Sequence, residues 1–148
     1  MKSFPHTNVY CRVAVSKISG VGLIAVVGIP KDTIIFSGKE PPADIVPKKI
    51  VDELPSGQRK LYEDFGVLDG ENYIAPSDLS ELTVGWFFNN SKTPNVACRT
   101  IQTRSGGFDF YALEYISAGT ELTLDYCAYE KMYLALHHRN GSRPKNKR

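Results

Sequence analysis

Cysteine is scarce and scattered in this 148-residue chain: Cys11, Cys98 and Cys127 include no pair at CxxC spacing. That spread argues against a disulfide framework and against a zinc site of thiolates, so no metal is expected. It points to a reducing, intracellular compartment without deciding between cytoplasm and nucleus. Long apolar runs are also missing. None reaches the roughly 20 residues that cross a bilayer, and the opening MKSFPHTNVY has no apolar signal core, so no membrane partner is expected. Neither sign of charge dominates: 18 Lys and Arg oppose 16 Asp and Glu, a net +2. That is too little to imply nucleic acid by itself. Histidine is limited to His6, His137 and His138, all near the ends, and no serine sits in a GxSxG elbow, so Ser-His-Asp hydrolysis is poorly supported. No GxGxxG opens a helix and no GxxxxGK[ST] occurs, which argues against a nucleotide-binding parallel sheet.

What is present is an ordinary globular balance, 42% hydrophobic and 23% charged, at a length that buries a core of its own. Strands are expected over residues 9–15, 22–27, 33–37, 71–75, 95–103, 108–115 and 120–126. One or two short helices are expected between Asp44 and Phe65, interrupted at Pro47 and at Pro55-Ser56-Gly57, and another over 128–138. Residues 79–88 fit helix or strand. The sum is a mostly β domain over 1–138, with a variable insert at about 40–68 and a basic tail over 139–148. That tail holds Arg139, Arg143, Lys145, Lys147 and Arg148 and no acid. It reads as a solvated segment or as a non-specific phosphate anchor, the only route offered to nucleic acid.

Ala25, Ile29 and Thr33 recur as Ala112, Ile116 and Thr120 at identical spacing. Either a strand-turn-strand unit is used twice, or three positions agree by chance. Asn89 to Asn95 follows the aromatic run Trp86-Phe87-Phe88. Its amides suit recognition of a purine edge or an amino-acid carboxylate, or simply an Asx-type turn. Glu121 to Tyr126 ends a strand in a tyrosine. His137-His138 read as surface histidines, and Glu63-Asp64 and Asp69/Glu71 as solvated acids.

In chain order, four segments resemble the SET-domain family of protein-lysine methyltransferases. Gly20-Val21-Gly22-Leu23-Ile24-Ala25 and Ile29-Pro30-Lys31-Asp32-Thr33-Ile34-Ile35 look like its GxGLFA…IpkGt.I opening. Asp69-Gly70-Glu71-Asn72-Tyr73-Ile74 resembles the strand before its central motif. Trp86-Phe87-Phe88-Asn89-Asn90-Ser91-Lys92-Thr93-Pro94-Asn95 resembles RFINHSCxPN, and Ala112 to Tyr126 resembles A…I..GeELTfDY. The resemblance covers roughly residues 9–127.

It implies a β-clip, SET-type fold: several small sheets around a pseudoknot-like crossing, with a short helical insert and a C-terminal helix. It implies transfer of a methyl group from S-adenosylmethionine to a lysine of a protein or peptide, a histone tail among the candidates. A homodimer is compatible with it. By resemblance Tyr126 is the catalytic tyrosine, and Gly20, Val21, Gly22, Tyr73, Asn89, Asn90, Tyr126 and Tyr129 form the cofactor site. Asn89 would hold the amino-acid end of the cofactor, the backbone at Asn90 the adenine edge, and Tyr129 or Tyr133 would stack on the adenine. Phe36 and Leu124 would line the substrate channel.

The chain departs from the family pattern in four places. Asn90 replaces a histidine, Lys92 a cysteine and Phe36 a channel tyrosine. Leu124 stands where Phe or Tyr often tunes the number of methyls added. The alternative these departures raise is a SET-like module that binds protein or peptide without catalysis.

Overall fold

The computed structural model describes residues 6–38, 40–101 and 106–139, the last without its side chain. Of the basic tail expected over 139–148, residues 140–148 lie outside them, as do residues 102–105. The chain divides into two compact units, Met1–Lys39 with Thr83–Tyr129, and Glu40–Leu82 with Glu130–Arg148. None of the described helices is long and apolar enough to cross a membrane.

The first unit is built on two small sheets. β1 (Cys11–Val15) turns back into β2 (Val21–Ala25), pairing Val15 with Val21 and Cys11 with Ala25. The turn closes because Ser16 N–H donates to Gly20 O at 2.9 Å while Ser16 Oγ accepts from Ile18 N–H at 2.8 Å. Gly20 sits at φ +51°, a conformation glycine adopts without a Cβ penalty. The second sheet contains β3 (Ile34–Gly38).

In the second unit, β4 (Ala43–Pro47), α1 (Lys48–Asp52), α2 (Ser56–Phe65), β5 (Val67–Asp69) and β6 (Asn72–Pro76) follow in sequence. Their strands form a sheet of order β4-β6-β5. The helical expectation from Asp44 is corrected at its start: Ala43–Pro47 pairs along β6, and the helix begins only after Pro47. Proline offers no N–H to a helix interior but is tolerated just before its first turn.

Back in the first unit, residues 84–87 make a single 3₁₀ turn, Val84–Phe87, so the segment 79–88 is neither long helix nor strand. β7 (Asn89–Asn90), β8 (Val96–Thr100), β9 (Phe108–Ala112) and β10 (Glu121–Leu124) follow, giving sheet orders β1-β2-β10-β7 and β3-β9-β8. β7 and β10 run parallel, pairing Asn89 with Thr123 and Asn90 with Leu124. This brings segments far apart in sequence side by side, as expected of a SET-type crossing. α3 (Tyr126–Arg139) starts one turn's half earlier than its composition suggests, because Asp125 Oδ1 accepts from Cys127 N–H at 3.0 Å and caps it. Its residues up to Tyr129 belong to the first unit.

The recurrence of Ala25, Ile29 and Thr33 is structural, not chance. Ile29 and Ile116 exchange both backbone hydrogen bonds, at 2.8 and 2.9 Å. Ala25 N–H donates to Thr120 O at 2.9 Å, and Ala112 N–H to Thr33 O at 3.0 Å. Asp32 N–H donates to Ala112 O and Gly119 N–H to Ala25 O, both at 2.8 Å. Every bond has its partner under exchange of the two copies, so the clasp has local two-fold symmetry. Ile29, Ile116, Leu23, Leu122 and Val96 are fully buried in the surrounding core, each contributing about 1.5–3 kcal/mol of burial.

The symmetry extends to backbone angles. Asp32 has φ +67° and its counterpart Gly119 has φ +86°. A Cβ at Gly119 would meet nothing within 4 Å, so Gly119→Ala tests the backbone alone. It is expected to cost about 1–2 kcal/mol. Asp32→Gly, which swaps side-chain strain for glycine's entropy, is expected to stay within about 1 kcal/mol of wild type. Urea unfolding of both variants checks this, and a Gly119→Ala protein as stable as wild type contradicts it.

Candidate active site

The crossing places Asn89 against the β1–β2 turn. Its Nδ2 lies 3.0 Å from Ser16 Oγ, 3.2 Å from Ser19 O, 3.1 Å from Val21 O and 3.1 Å from Glu121 Oε2. Ser16 Oγ in turn donates to Glu121 Oε1 at 2.6 Å. Gly22 makes this approach possible. A Cβ there would fall within 2.9 Å of both Asn89 Nδ2 and Glu121 Oε2, closer than real side chains come. Gly20, Val21, Gly22 and Asn89 are therefore brought together, as the resemblance implies.

Asn90 faces the start of α3. Its Oδ1 accepts from Tyr126 N–H at 2.9 Å. An asparagine in place of the family's histidine thus ties β7 to the backbone of the candidate catalytic residue. The Tyr126 hydroxyl donates to the Phe88 carbonyl through a short hydrogen bond, and the residue is 39% exposed. Tyr126 therefore has its phenol oxygen fixed by β7's lead-in and its backbone fixed by Asn90.

Next to that carbonyl lies an aromatic wall. Phe36 meets Phe88 edge-on at 5.7 Å and Phe110 at 6.5 Å, and Phe88 stacks on Phe110 at 5.5 Å. Tyr129 packs on Phe108 at 5.7 Å and on Phe110 at 6.1 Å. Leu124 is buried beside them in the core cluster. Such rings offer apolar contact and a negative π face to a cation.

Asn95, the last residue of the same loop, is buried and stitches the crossing. It donates from Nδ2 to Glu121 O at 2.8 Å and accepts from Thr123 N–H at 2.9 Å. It is a structural clamp.

Two of the expected aromatics belong to the second unit. Tyr73 belongs to the second unit, where its ring stands 6.0 Å from that of Tyr62. Tyr133, also of that unit, is 2% exposed with its ring 4.2 Å from His137. A ring so enclosed presents no open face. His137 is buried, contrary to the surface reading, and burial lowers its pKa. His138 is half exposed and meets Asp69 at 2.8 Å. Among the described residues no three His, Cys, Asp or Glu side chains gather as a metal site. Cys11 lies in the core, where burial raises its thiol to about 11 and keeps it protonated.

Sequence reasoning missed Ser16, Glu121 and the Phe88 carbonyl as parts of this site. Glu121 lies inside a quoted motif, but Ser16 has no local signal. Only the fold joins them.

No curated protein matches the chain. Among solved structures it is similar to a crystal structure of a Plasmodium falciparum protein provisionally named a histone methyltransferase. The two are 21% identical with a TM-score of 0.52, over 80% of this chain and 93% of that one. That likeness supports the fold. The SET domain family model matches residues 20–127, a span holding the glycine turn, Asn89, Asn90 and Tyr126. The chain belongs to the SET-domain family.

Proposed function

We propose that this chain is an S-adenosylmethionine-dependent protein-lysine N-methyltransferase acting on a lysine-bearing protein or peptide, a histone tail among the candidates, inside the cell. The observation that carries the reading is the fixed pair of Tyr126, on the Phe88 carbonyl, and Asn89, on the glycine turn, within one SET-type crossing.

The residues fit the donor's chemistry. The Glu121 carboxylate accepts from Ser16 Oγ and Asn89 Nδ2 and forms no ion pair with lysine or arginine among the described residues, so it is spent on holding Asn89. Asn89 spends Nδ2 on the protein and keeps Oδ1 as an acceptor, the polarity an ammonium needs. Tyr129, half-buried on Phe108 and Phe110, supplies a flat apolar surface for a base.

S-adenosylmethionine, when bound, supplies an electrophilic methyl group. The chain's own residues must then present a neutral amine in line with it. Phe36, Phe88, Phe110 and Leu124 form an apolar wall that disfavours a protonated lysine, whose usual pKa is about 10.4. Tyr126 has committed its proton to Phe88, so its oxygen acts as an acceptor toward an N–H of the amine. Holding that N–H turns the nitrogen lone pair in one direction, and positioning of this kind is the main source of rate.

Calorimetric titration tests the reading. S-adenosylmethionine and S-adenosylhomocysteine are expected to bind and ATP is not. Asn89→Ala is expected to weaken both by about tenfold, the loss of one hydrogen bond to a charged group. A folded wild-type protein that binds neither sulfur compound would refute the reading.

A further inference from the structure

The least expected group in the site is the Glu121 carboxylate. It is partly buried, accepts from Ser16 Oγ and Asn89 Nδ2, and meets no cation among the described residues. We propose that Glu121, with Ser16, is a positioning residue that sets which end of the Asn89 amide the methyl donor meets. The inference rests on the proposed methyltransferase reading and assigns a role within that site.

An asparagine amide is nearly symmetric in shape, so its environment decides which way it points. Around Asn89 Nδ2 the protein offers acceptors: the Ser19 and Val21 carbonyls, Ser16 Oγ and the Glu121 carboxylate. Ser16 Oγ accepts because its own proton goes to Glu121 Oε1. A flipped amide would set Oδ1 against a carboxylate and two carbonyls, and would turn Nδ2 toward the ligand. A donor there repels an ammonium. The carboxylate makes the difference largest, since hydrogen bonds to an ionised acceptor are roughly twice as strong as neutral ones. Gly22 keeps the approach open, because a Cβ would wedge between Asn89 and Glu121.

Three readouts separate this role from plain structural support. In calorimetry with S-adenosylhomocysteine, Glu121→Ala is expected to weaken binding about tenfold. Glu121→Gln keeps a carbonyl acceptor for Nδ2 and is expected to recover most of that loss. The double variant Asn89→Ala/Glu121→Ala is expected to bind no more weakly than Asn89→Ala alone, because Glu121 acts through Asn89. In the ligand-free protein, the side-chain NH₂ signal of Asn89 in the ¹⁵N spectrum is expected to move toward a solvent-exposed amide in Glu121→Ala, with the backbone signals of β3 and β9 unmoved. Should Glu121→Ala fail to fold, Ser16→Ala takes its place, with a smaller loss of the same kind. Wild-type binding with unchanged affinity in the variants, or additive losses in the double variant, overturns the positioning role alone. A wild-type protein that binds no S-adenosylhomocysteine overturns it together with the methyltransferase reading.

Discussion

Tyr126→Phe is expected to lower the methyl-transfer rate about a hundredfold to a thousandfold while leaving S-adenosylhomocysteine affinity within about threefold. The asymmetry follows from what the hydroxyl touches. Its proton goes to the Phe88 carbonyl, and its oxygen faces the place where the proposed amine stands. Neither duty involves the Asn89 and glycine-turn side of the site, which is held by Ser16 and Glu121. Phenylalanine keeps the ring and its contacts, and the backbone tie from Tyr126 N–H to Asn90 Oδ1 remains. Loss of the bond to Phe88 costs stability about 1 kcal/mol, too little to unfold the protein. Single-turnover transfer to a lysine peptide, followed by mass spectrometry, reads the rate without product release. Equal loss of rate and of affinity would mean that Tyr126 shapes the donor site instead.

How much of this was legible beforehand depends on the distance over which each feature is encoded. The duplicated clasp was visible because its residues recur at identical spacing. What spacing could not supply was the pairing of the two copies, since Ile29 and Ile116 meet only when the chain closes on itself. The glycine turn and the Asn89 loop were legible because turn chemistry is local. Their junction was not. Ser16 and Glu121 are separated by most of the domain, and serine after a strand is common. The sequence from Asp44 reads as helix because it opens the Lys-, Glu- and Asp-rich stretch that runs to Phe65. Pairing with β6 overrode that local preference. His137 reads as a surface residue because polar helix ends usually are exposed, and its burial beside Tyr133 is a tertiary fact.

That second unit carries the other large expected effect, a pH-dependent stability that Glu40→Gln should reshape. Burial raises the Glu40 carboxyl from 4.5 to about 7, and its Oε2 is buried with no hydrogen-bond partner. Its charge also helps raise the pKa of Tyr133, after the larger effect of burial. The folded pKa lies above the unfolded one, so the folded state binds the proton more tightly. The contribution is full below about 4.5 and is lost as pH rises through about 7. A shift of this size corresponds to about 3 kcal/mol. His137 runs the other way. Burial, and next the charge of His138, lower its pKa from 6.5. Its contribution is present above that value and is lost as pH falls. The two contributions therefore oppose one another in wild type. Glutamine keeps the shape of Glu40 without a charge. Glu40→Gln should match wild type near pH 4.5 and exceed it by about 2–3 kcal/mol at pH 8, measured by urea unfolding across that range. With the carboxyl gone, the His137 slope remains, and stability should rise from pH 5 to 7. A gain independent of pH would mean that Glu40 is ionised in the folded protein, and that burial does not hold its proton.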